Sequence, residues 1–369
     1  MKKLVCVLLA AVLLVLGLGS ALGEGVAYQR VSISDGSMTV GRTVVPQGYS
    51  VQSNLLYFDG STLSMTSPVQ LIVEAFSADG SVDMVYTSIV DYIHILEKST
   101  GGMPYGAHQD GVLDQTTMCM MMTEMTAGQY ADAMINKVLP SATFLYETPV
   151  SAEMQAALET VRQENYNQFS SLMNGSANGM SISIDDARVG MAERFYSVEL
   201  SGIPYRAVAA TAVSAVEMTM SAYMLYGGET IDKSTVWSAP YCYVCLAPEE
   251  NFDAAYADFR VFVANTCESD QFVQARATLS NQIRESILSG RSQSYAQMFA
   301  GDLDGGDTYN EDRFTDYIMG QNDYQLSSGE HVKIPTEYDY VYENGNGGIY
   351  ATDSALDEPA GMTQLQPSH

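Results

Sequence analysis

Three tyrosines alternate with other residues in the C-terminal run Glu337-Tyr338-Asp339-Tyr340-Val341-Tyr342. In a β-strand, residues two apart lie on the same face, so the three phenol rings would share one face. Such rings combine an apolar body with a polar edge, which suits a sugar or a peptide. The spacing therefore predicts a ligand-binding platform at Tyr338, Tyr340 and Tyr342. The alternative is that the rings pack onto the main domain while the acidic residues face water.

Cys242 and Cys245 have the spacing of redox and zinc motifs. Both uses need two sulfurs that converge at a turn or a helix start. This pair falls in a predicted strand instead, where residues three apart point to opposite faces. We therefore predict buried free thiols, and a single disulfide that involves Cys267 stays open as the alternative. Four cysteines outside the N-terminal segment are too few for a disulfide framework in a chain of this length.

A methionine-rich run surrounds Cys119, and soft sulfur ligands select cuprous copper. The run comprises Met118, Met120, Met121, Met122 and Met125. Contiguous residues of a strand point to alternate faces, so these sulfurs cannot all reach one ion. Methionine is also common in hydrophobic cores, and core packing is the predicted role.

The acidic run from Asp302 to Asp307 suggests calcium. A twelve-residue calcium loop that begins at Asp302 needs glycine at its sixth position and glutamate at its twelfth. Asp307 and Arg313 occupy those positions. An acidic turn is therefore the favoured interpretation, and a looser calcium site is the alternative.

The histidines complete the search for chemistry. His94 lies in a predicted buried strand, which indicates a hydrogen-bonded core residue, and His108 lies beside Asp110 in a glycine-rich loop. The sequence has no His-Glu-x-x-His, Gly-x-Ser-x-Gly or phosphate-binding glycine motif. We predict no catalytic residue, no metal and no cofactor. The alternative is a hydrolase whose site is assembled from distant acids such as Asp110 or Asp304.

The element around which the fold is expected to form is a hairpin between Pro68 and Leu96. Its arms are Val69–Phe76 and Val82–Leu96, and Asp79-Gly80 supplies the turn, because glycine accepts the positive φ that such a turn requires. The second arm is apolar at both even and odd positions. We therefore predict a strand near the middle of a sheet, covered on both faces.

The remaining elements follow in blocks of strands and helices. Capping patterns predict helices that begin at Thr126 and Ser151, and later helices begin at Pro248 and end at Gly290. Consecutive strands with short turns imply antiparallel pairing. The predicted fold class is therefore α+β, an antiparallel β-sheet flanked by helices on both faces, with a C-terminal tyrosine-rich β-hairpin extension.

The predicted domain boundaries divide the chain into three parts. A signal peptide covers 1–23, an α+β sandwich domain covers 24–290, and a C-terminal extension with a hairpin and polar tail covers 291–369. A duplication with halves 24–175 and 180–290 is left open.

The first 23 residues predict export. Lys2 and Lys3 precede a short apolar run and small residues near Ala21, which is typical of a cleaved secretory signal peptide. Without Lys2 and Lys3 the chain keeps 15 basic against 44 acidic residues, a balance of −29. That charge disfavours nucleic acids and anionic membranes. The expected partner is a cationic or glycan surface, and the expected location is the cell envelope or the extracellular space, with no stable membrane insertion.

The run Val45-Pro46-Gln47-Gly48-Tyr49 resembles the proline-x-glycine-aromatic opening of PsbP-like α+β domains. Tyrosine stands at position 49, where that pattern has tryptophan. The C-terminal runs 316–320, 338–342 and 348–350 resemble the tails of exported bacterial proteins of unassigned function. The resemblance implies an antiparallel sheet sandwiched between helices and an extracytoplasmic location, and it carries no functional residues.

Together these patterns predict a non-enzymatic binding or accessory protein of the cell envelope or extracellular space. A hydrolase that acts on a cell-wall or extracellular polymer is the alternative. A calcium-stabilised surface protein is the third interpretation.

Overall fold

The computed structural model describes residues 26–35, 38–57, 64, 66–114, 117–173, 175–177, 180–224, 228–289, 321–329, 331–335, 338, 340–344, 348–352 and 359–367. The predicted signal peptide and the acidic run 302–307 lie outside these residues. None of the described helices is long and apolar enough to cross a membrane.

The described residues form an α+β fold rich in antiparallel strands. The strands are β1 (Val26–Asp35), β2 (Met38–Pro46), β3 (Ser50–Tyr57), β4 (Val69–Phe76), β5 (Asp83–Thr100), β6 (Met103–Pro104), β7 (Met120–Met121), β8 (Thr143–Glu147), β9 (Gly175–Ala177), β10 (Met180–Leu200), β11 (Ile203–Met224), β12 (Gly228–Pro248), β13 (Cys267–Glu268), β14 (Gln321–Gln325), β15 (His331–Pro335), β16 (Tyr340–Glu343), β17 (Gly348–Thr352) and β18 (Thr363–Leu365). The helices are α1 (Ala127–Val138), α2 (Ala152–Met173), α3 (Phe252–Asn265) and α4 (Asp270–Ser289), with a 3₁₀ turn at Glu249–Asn251.

The larger sheet has the strand order β3-β4-β5-β12-β11-β10-β8, with β6, β7 and β9 attached beside this path. The predicted hairpin of β4 and β5 is confirmed, and Gly80 in its turn has a φ of +70°. β5 lies between β4 and β12, as the sequence predicts. The side chains of β5 are less completely buried than predicted. Val85 and Ile89 are half-buried, and Leu96 is 44 % exposed.

Leu96 is exposed because the ladder between β5 and β12 is irregular at this residue. Ser234 pairs with Ile95 and Lys233 pairs with Glu97, so Leu96 is an extra residue in β5. A bulge of this kind turns the local side chain away from the regular alternation. The prediction that Leu96 is buried on one face is therefore wrong.

The three strands β10, β11 and β12 are longer than the sequence patterns indicate. The apolar residues of this region predict two separate strands, Met180–Ile184 and Phe195–Leu200, whereas β10 runs without interruption from Met180 to Leu200. Polar residues between them break the apolar alternation. Arg188 forms a cross-strand ion pair with Glu217 of β11 and a second pair with Asp186 on its own strand, and these hold the polar section in the sheet.

The helix starts follow local capping. Thr126 and Gln129 form the predicted capping box at the start of α1. At α2, the Ser151 hydroxyl accepts a hydrogen bond of 3.1 Å from the Met154 amide. These side chains satisfy amides that have no partner within the helix.

A second sheet has the order β13-β2-β1-β17-β16-β18 and joins both ends of the described chain. β17 pairs with β1, in a register that places Val26 opposite Ala351. β16 pairs with β17 in an antiparallel ladder. A cluster that includes Tyr28, Val341 and Ile349 packs with Val261 of α3, so this sheet shares its core with that helix.

Gly41 lies where β2 and β13 approach each other closely. A Cβ atom at this position would lie 2.6 Å from the carbonyl oxygen of Cys267 in β13. We expect Gly41→Ala to destabilise the protein by about 1–3 kcal/mol, because backbone must move to accept the methyl group. Gly190→Ala in β10 is the matched control, since nothing lies within 4 Å of its Cβ position. Urea unfolding of both variants measures the difference, and equal stabilities would contradict the close approach.

The hairpin of β4 and β5 carries two aspartates in opposite environments. Burial and the neighbouring Glu74 carboxyl raise the pKa of Asp83 to about 6. In the turn, hydrogen bonds from Ser77 and Ser81 lower the pKa of Asp79 to about 2. The folded state therefore disfavours ionised Asp83 and favours ionised Asp79.

These two residues give predictions of opposite sign. Asp83→Asn should raise the melting temperature at pH 7.5, because it removes a carboxylate whose penalty develops as the pH rises from about 4 to about 6. Asp79→Asn should lower it at pH 7.5, because its contribution is present above about pH 4 and is lost as the pH falls. Thermal unfolding at pH 7.5 and at pH 3.5 checks both, and both differences should shrink in acid.

Candidate functional site

The three predicted platform tyrosines are not equally accessible. Tyr342 is 3 % exposed, and its ring centroid lies 6.5 Å from that of Tyr350 on the paired strand. Tyr338 packs against the cluster of Tyr28 and Val341, and it is half-buried, as is Tyr340. The ligand-binding role of these residues stays a prediction.

The cysteines are free thiols among the described residues. Cys242 and Cys245 are buried in β12, as predicted, and burial raises the pKa of Cys242 to about 12. Burial also raises the pKa of Cys119, whose sulfur lies 3.7 Å from the Thr66 hydroxyl. Protonated buried thiols are poor nucleophiles and poor metal ligands. Within the described part of the chain, no group of three or more histidine, cysteine, aspartate or glutamate residues could hold a metal ion.

The structure brings His94 and His108 together at one end of the large sheet. The ring of His94 on β5 meets the ring of His108 edge to face, with 4.7 Å between centroids. His108 Nε2 lies 2.7 Å from Asp110 Oδ1, and the Ile95 amide donates to His108 Nδ1 at 3.3 Å. Because Nδ1 accepts a hydrogen bond, the neutral ring is assigned its proton on Nε2, which donates to Asp110.

His108 belongs to a segment that we name the 101–114 loop. Asp114 at its end forms a buried ion pair with Lys98 of β5, with 3.0 Å between Nζ and Oδ1. The Thr117 amide and hydroxyl donate to the second carboxylate oxygen of Asp114. Gly106 and Gly111 have φ values of +67° and +76°, which few other residue types adopt. The side chains of His108 and Asp114 thus fix the loop to β5, in addition to the pairing of β6 with β5.

On both sides of His108 the loop presents apolar side chains to solvent. Met103 is 74 % exposed, and Tyr105 and Val112 are also exposed. Leu96 adds a fourth exposed apolar side chain from the bulge of β5. Apolar groups on a well-anchored loop are a common composition for a contact surface.

A row of polar residues crosses four strands beside the histidines. In register, His94 pairs with Thr235, Thr235 with Glu217, and Glu217 with Asp186. Arg188, two residues after Asp186 on β10, donates to Glu124 at 2.7 and 2.8 Å and to Asp186 at 2.7 Å. Hydrogen bonding to Glu124 is the main reason that the pKa of Arg188 is raised.

The surroundings of the titratable groups in this site determine their charge states at neutral pH. Burial, followed by the neighbouring His108, lowers the pKa of His94, so this imidazole is neutral at pH 7. Burial opposes ionisation of Asp110, but hydrogen bonds from Thr123 and His108 outweigh it and lower the Asp110 pKa. Lys233 and Arg188 lower the pKa of Glu217 in the same way. The site therefore carries ionised carboxylates around a single guanidinium at neutral pH.

The prediction that His94 is a hydrogen-bonded core residue is wrong. Its Nδ1 is buried without a hydrogen-bond partner among the described residues, and the side chain is only half-buried. The sequence does place His108 beside Asp110. It gives no sign that His94 meets them, because that contact depends on how the loop folds back along β5.

Comparison with known proteins adds no assignment to this geometry. No family model matches the chain, and no curated protein matches it.

The anchor at Asp114 leads to a prediction. Asp114→Asn should destabilise the protein by about 1.5–3 kcal/mol, because the buried Lys98 ammonium loses its nearest carboxylate and keeps only Asp232 at 3.7 Å. Chymotrypsin should also cleave faster after Tyr105 in this variant.

The effect of this substitution should depend on pH. Burial opposes ionisation of Asp114, but hydrogen bonds from Thr117 and Lys98 outweigh it and lower the pKa of Asp114. The difference from wild type should therefore shrink as the pH falls below about 4.

Asp110→Asn is the control for this comparison. Half of the Asp110 side chain is exposed, so its loss should cost no more than about 1 kcal/mol. Equal losses of stability in the two variants would contradict the assignment of Asp114 as the main anchor.

Proposed function

We propose that the chain is a non-enzymatic binding or accessory protein of the cell envelope or extracellular space. The observation that carries this proposal is the 101–114 loop. The Lys98–Asp114 ion pair and the His108 contact with β5 hold it in place, while Met103, Tyr105 and Val112 point to solvent. Ordering such a loop in advance reduces the entropy lost when a partner binds.

The geometry favours binding over hydrolysis. A hydrolytic site needs a base with a free lone pair, or a carboxylic acid with a raised pKa. His108 uses its Nδ1 lone pair on the Ile95 amide, and the pKa of Asp110 is lowered. His94 is neutral but has no carboxylate that orients its ring, and the described residues place no activated nucleophile beside it. The hydrolase alternative that uses Asp110 is therefore the less favoured proposal.

The charge of the chain supports a cationic or glycan partner. The sequence carries a formal net charge of −27, and the half-exposed Asp110 belongs to the loop, two residues before Val112. A partner that offers basic or hydroxyl groups meets a complementary carboxylate there, whereas a phosphate backbone meets repulsion. The N-terminal pattern of charge, apolar run and small residues supports export.

We also infer that helices cover both faces of the large sheet. Residues of α1 pack on Ala207 and Ala209, whereas Phe262 of α3 packs on Tyr243, which pairs with Ala210. Because neighbouring residues of a strand point to opposite faces, α1 and α3 lie on opposite sides. A sheet between helices is what the resemblance to PsbP-like domains implies, and the tyrosine-rich hairpin of β16 and β17 is proposed as its C-terminal addition.

Thermal-shift screening tests the binding role. Purified protein is heated with glycans, peptidoglycan fragments, basic peptides and divalent metals, and a ligand of the site should raise the melting temperature by mass action. In the double variant Met103→Ser/Tyr105→Ser that increase should be largely lost. The unliganded stability should change by no more than about 0.5 kcal/mol, because both side chains are exposed.

Met173→Ser on α2 is the matched control, since it also removes an exposed methionine side chain, far along the chain from the loop. It should keep the ligand-induced shift. If wild type releases products from any polymer in the panel, and Asp110→Asn and His94→Gln abolish that release, the protein is a hydrolase and the proposal is wrong.

A further inference from the structure

The large sheet ends in two edge strands that differ in their capacity to pair further. β8 forms one edge, and Leu145 interrupts its ladder, since Phe144 pairs with Tyr196 and Tyr146 pairs with Phe195. Bulges and charges at an edge hinder the addition of another strand. Both are present at β8, where Glu147 forms an ion pair with Arg194.

β3 forms the other edge and has none of these protections. Its eight residues, SVQSNLLY, include no charged residue and no proline, and they pair with β4 without a register shift. Gln52, Ser53, Asn54 and Leu56 are exposed. No other described strand pairs with the outer side of β3. A regular, uncharged edge offers backbone amides and carbonyls in the pattern that an added strand needs.

Carboxyl groups lie next to this edge. Gln52 of β3 donates a hydrogen bond to Glu74, its cross-strand neighbour on β4. Glu74 in turn lies beside Asp83 of β5, and the Asp83 Oδ1 atom is buried without a hydrogen-bond partner among the described residues. A strand added beside β3 would bring its side chain opposite Gln52 within reach of the Glu74 carboxylate, two strand spacings of about 4.8 Å away, if that side chain is long.

We propose that β3 binds an extended basic segment of a partner protein by β-strand addition, with a lysine or arginine side chain of that segment reaching the Glu74 carboxylate. The backbone ladder supplies affinity that does not depend on sequence, and the Glu74 carboxylate selects the charge. This surface is separate from the 101–114 loop, so the inference goes beyond the binding role proposed above.

Charge distinguishes this partner from a second copy of the chain. Two molecules that each carry a formal charge of −27 repel one another at long range. Pairing two β3 strands would also bring two Glu74–Asp83 pairs to one interface with no cation from either strand, because β3 has no basic residue. A basic segment meets the same surface with attraction.

Fluorescence anisotropy with two labelled peptides tests the proposal. The probes are an alternating Lys-Val octapeptide and an alternating Glu-Val octapeptide, matched in length to β3. The basic peptide should bind the wild-type protein at low ionic strength, and the acidic peptide should not. Asn54→Lys and Glu74→Gln should each weaken binding by about tenfold, the first by placing a charge on the edge and the second by removing one carboxylate.

Gln163→Lys on α2 is the matched control, because it adds the same charge at another exposed position. It should change the affinity by less than about twofold. Circular dichroism verifies that each variant is folded. Equal weakening in all three variants would show attraction to the overall charge and overturn the proposal.

Two further outcomes would also overturn it. Absence of binding by the basic peptide would mean that the edge is closed, for instance by another segment of the same chain. Sedimentation equilibrium that shows a wild-type dimer and an Asn54→Lys monomer would assign the edge to a second copy.

Discussion

The ladder between β5 and β12 is the constraint on which the rest of the structure depends. It runs from Asp83 opposite Leu246 to Thr100 opposite Thr230. On its other side β5 meets β4 along its first residues and the short β7 further on, in the one parallel pairing among the described strands. The ladder therefore fixes where the methionine-rich segment lies, and with it the 101–114 loop that precedes this segment.

The same ladder produces the candidate site. It places His94 beside Thr235, and its bulge exposes Leu96. It also brings Lys98 opposite Asp232, so that Lys98 lies between that carboxylate at 3.7 Å and Asp114 at 3.0 Å. A displacement of the register by one residue would move each of these side chains to the other face.

Local features of the fold could be predicted from the sequence, and distant ones could not. The turn at Asp79-Gly80 and the capping box at Thr126 depend on residues close in the chain, so their patterns are sufficient. The length of β10 could not be predicted, because two of the carboxylates that hold Arg188, Glu124 and Glu217, lie far away in sequence. The same reason applies to His94, since no local pattern indicates which loop will meet a given strand residue.

The candidate site was predictable only in fragments. The sequence shows that His108 and Asp110 are neighbours. It does not show that Lys98 and Asp114 form a buried pair, because charged residues are mostly exposed and their type gives no sign of burial. Arg276 also forms a buried ion pair, with Glu268. Each of these buried pairs is neutral as a whole, so the formal net charge of −27 is carried by the other charged residues.

The pairing of β1 with β17 has a consequence for how the molecule forms. Val26 and Ala351 are partners, yet almost the whole chain lies between them. The hairpin of β4 and β5 can close early in synthesis, whereas β1 cannot acquire its second neighbour until the C-terminal strands have been made. During that interval one edge of β1 lies open, and assembly of the smaller sheet is necessarily a late event in biogenesis.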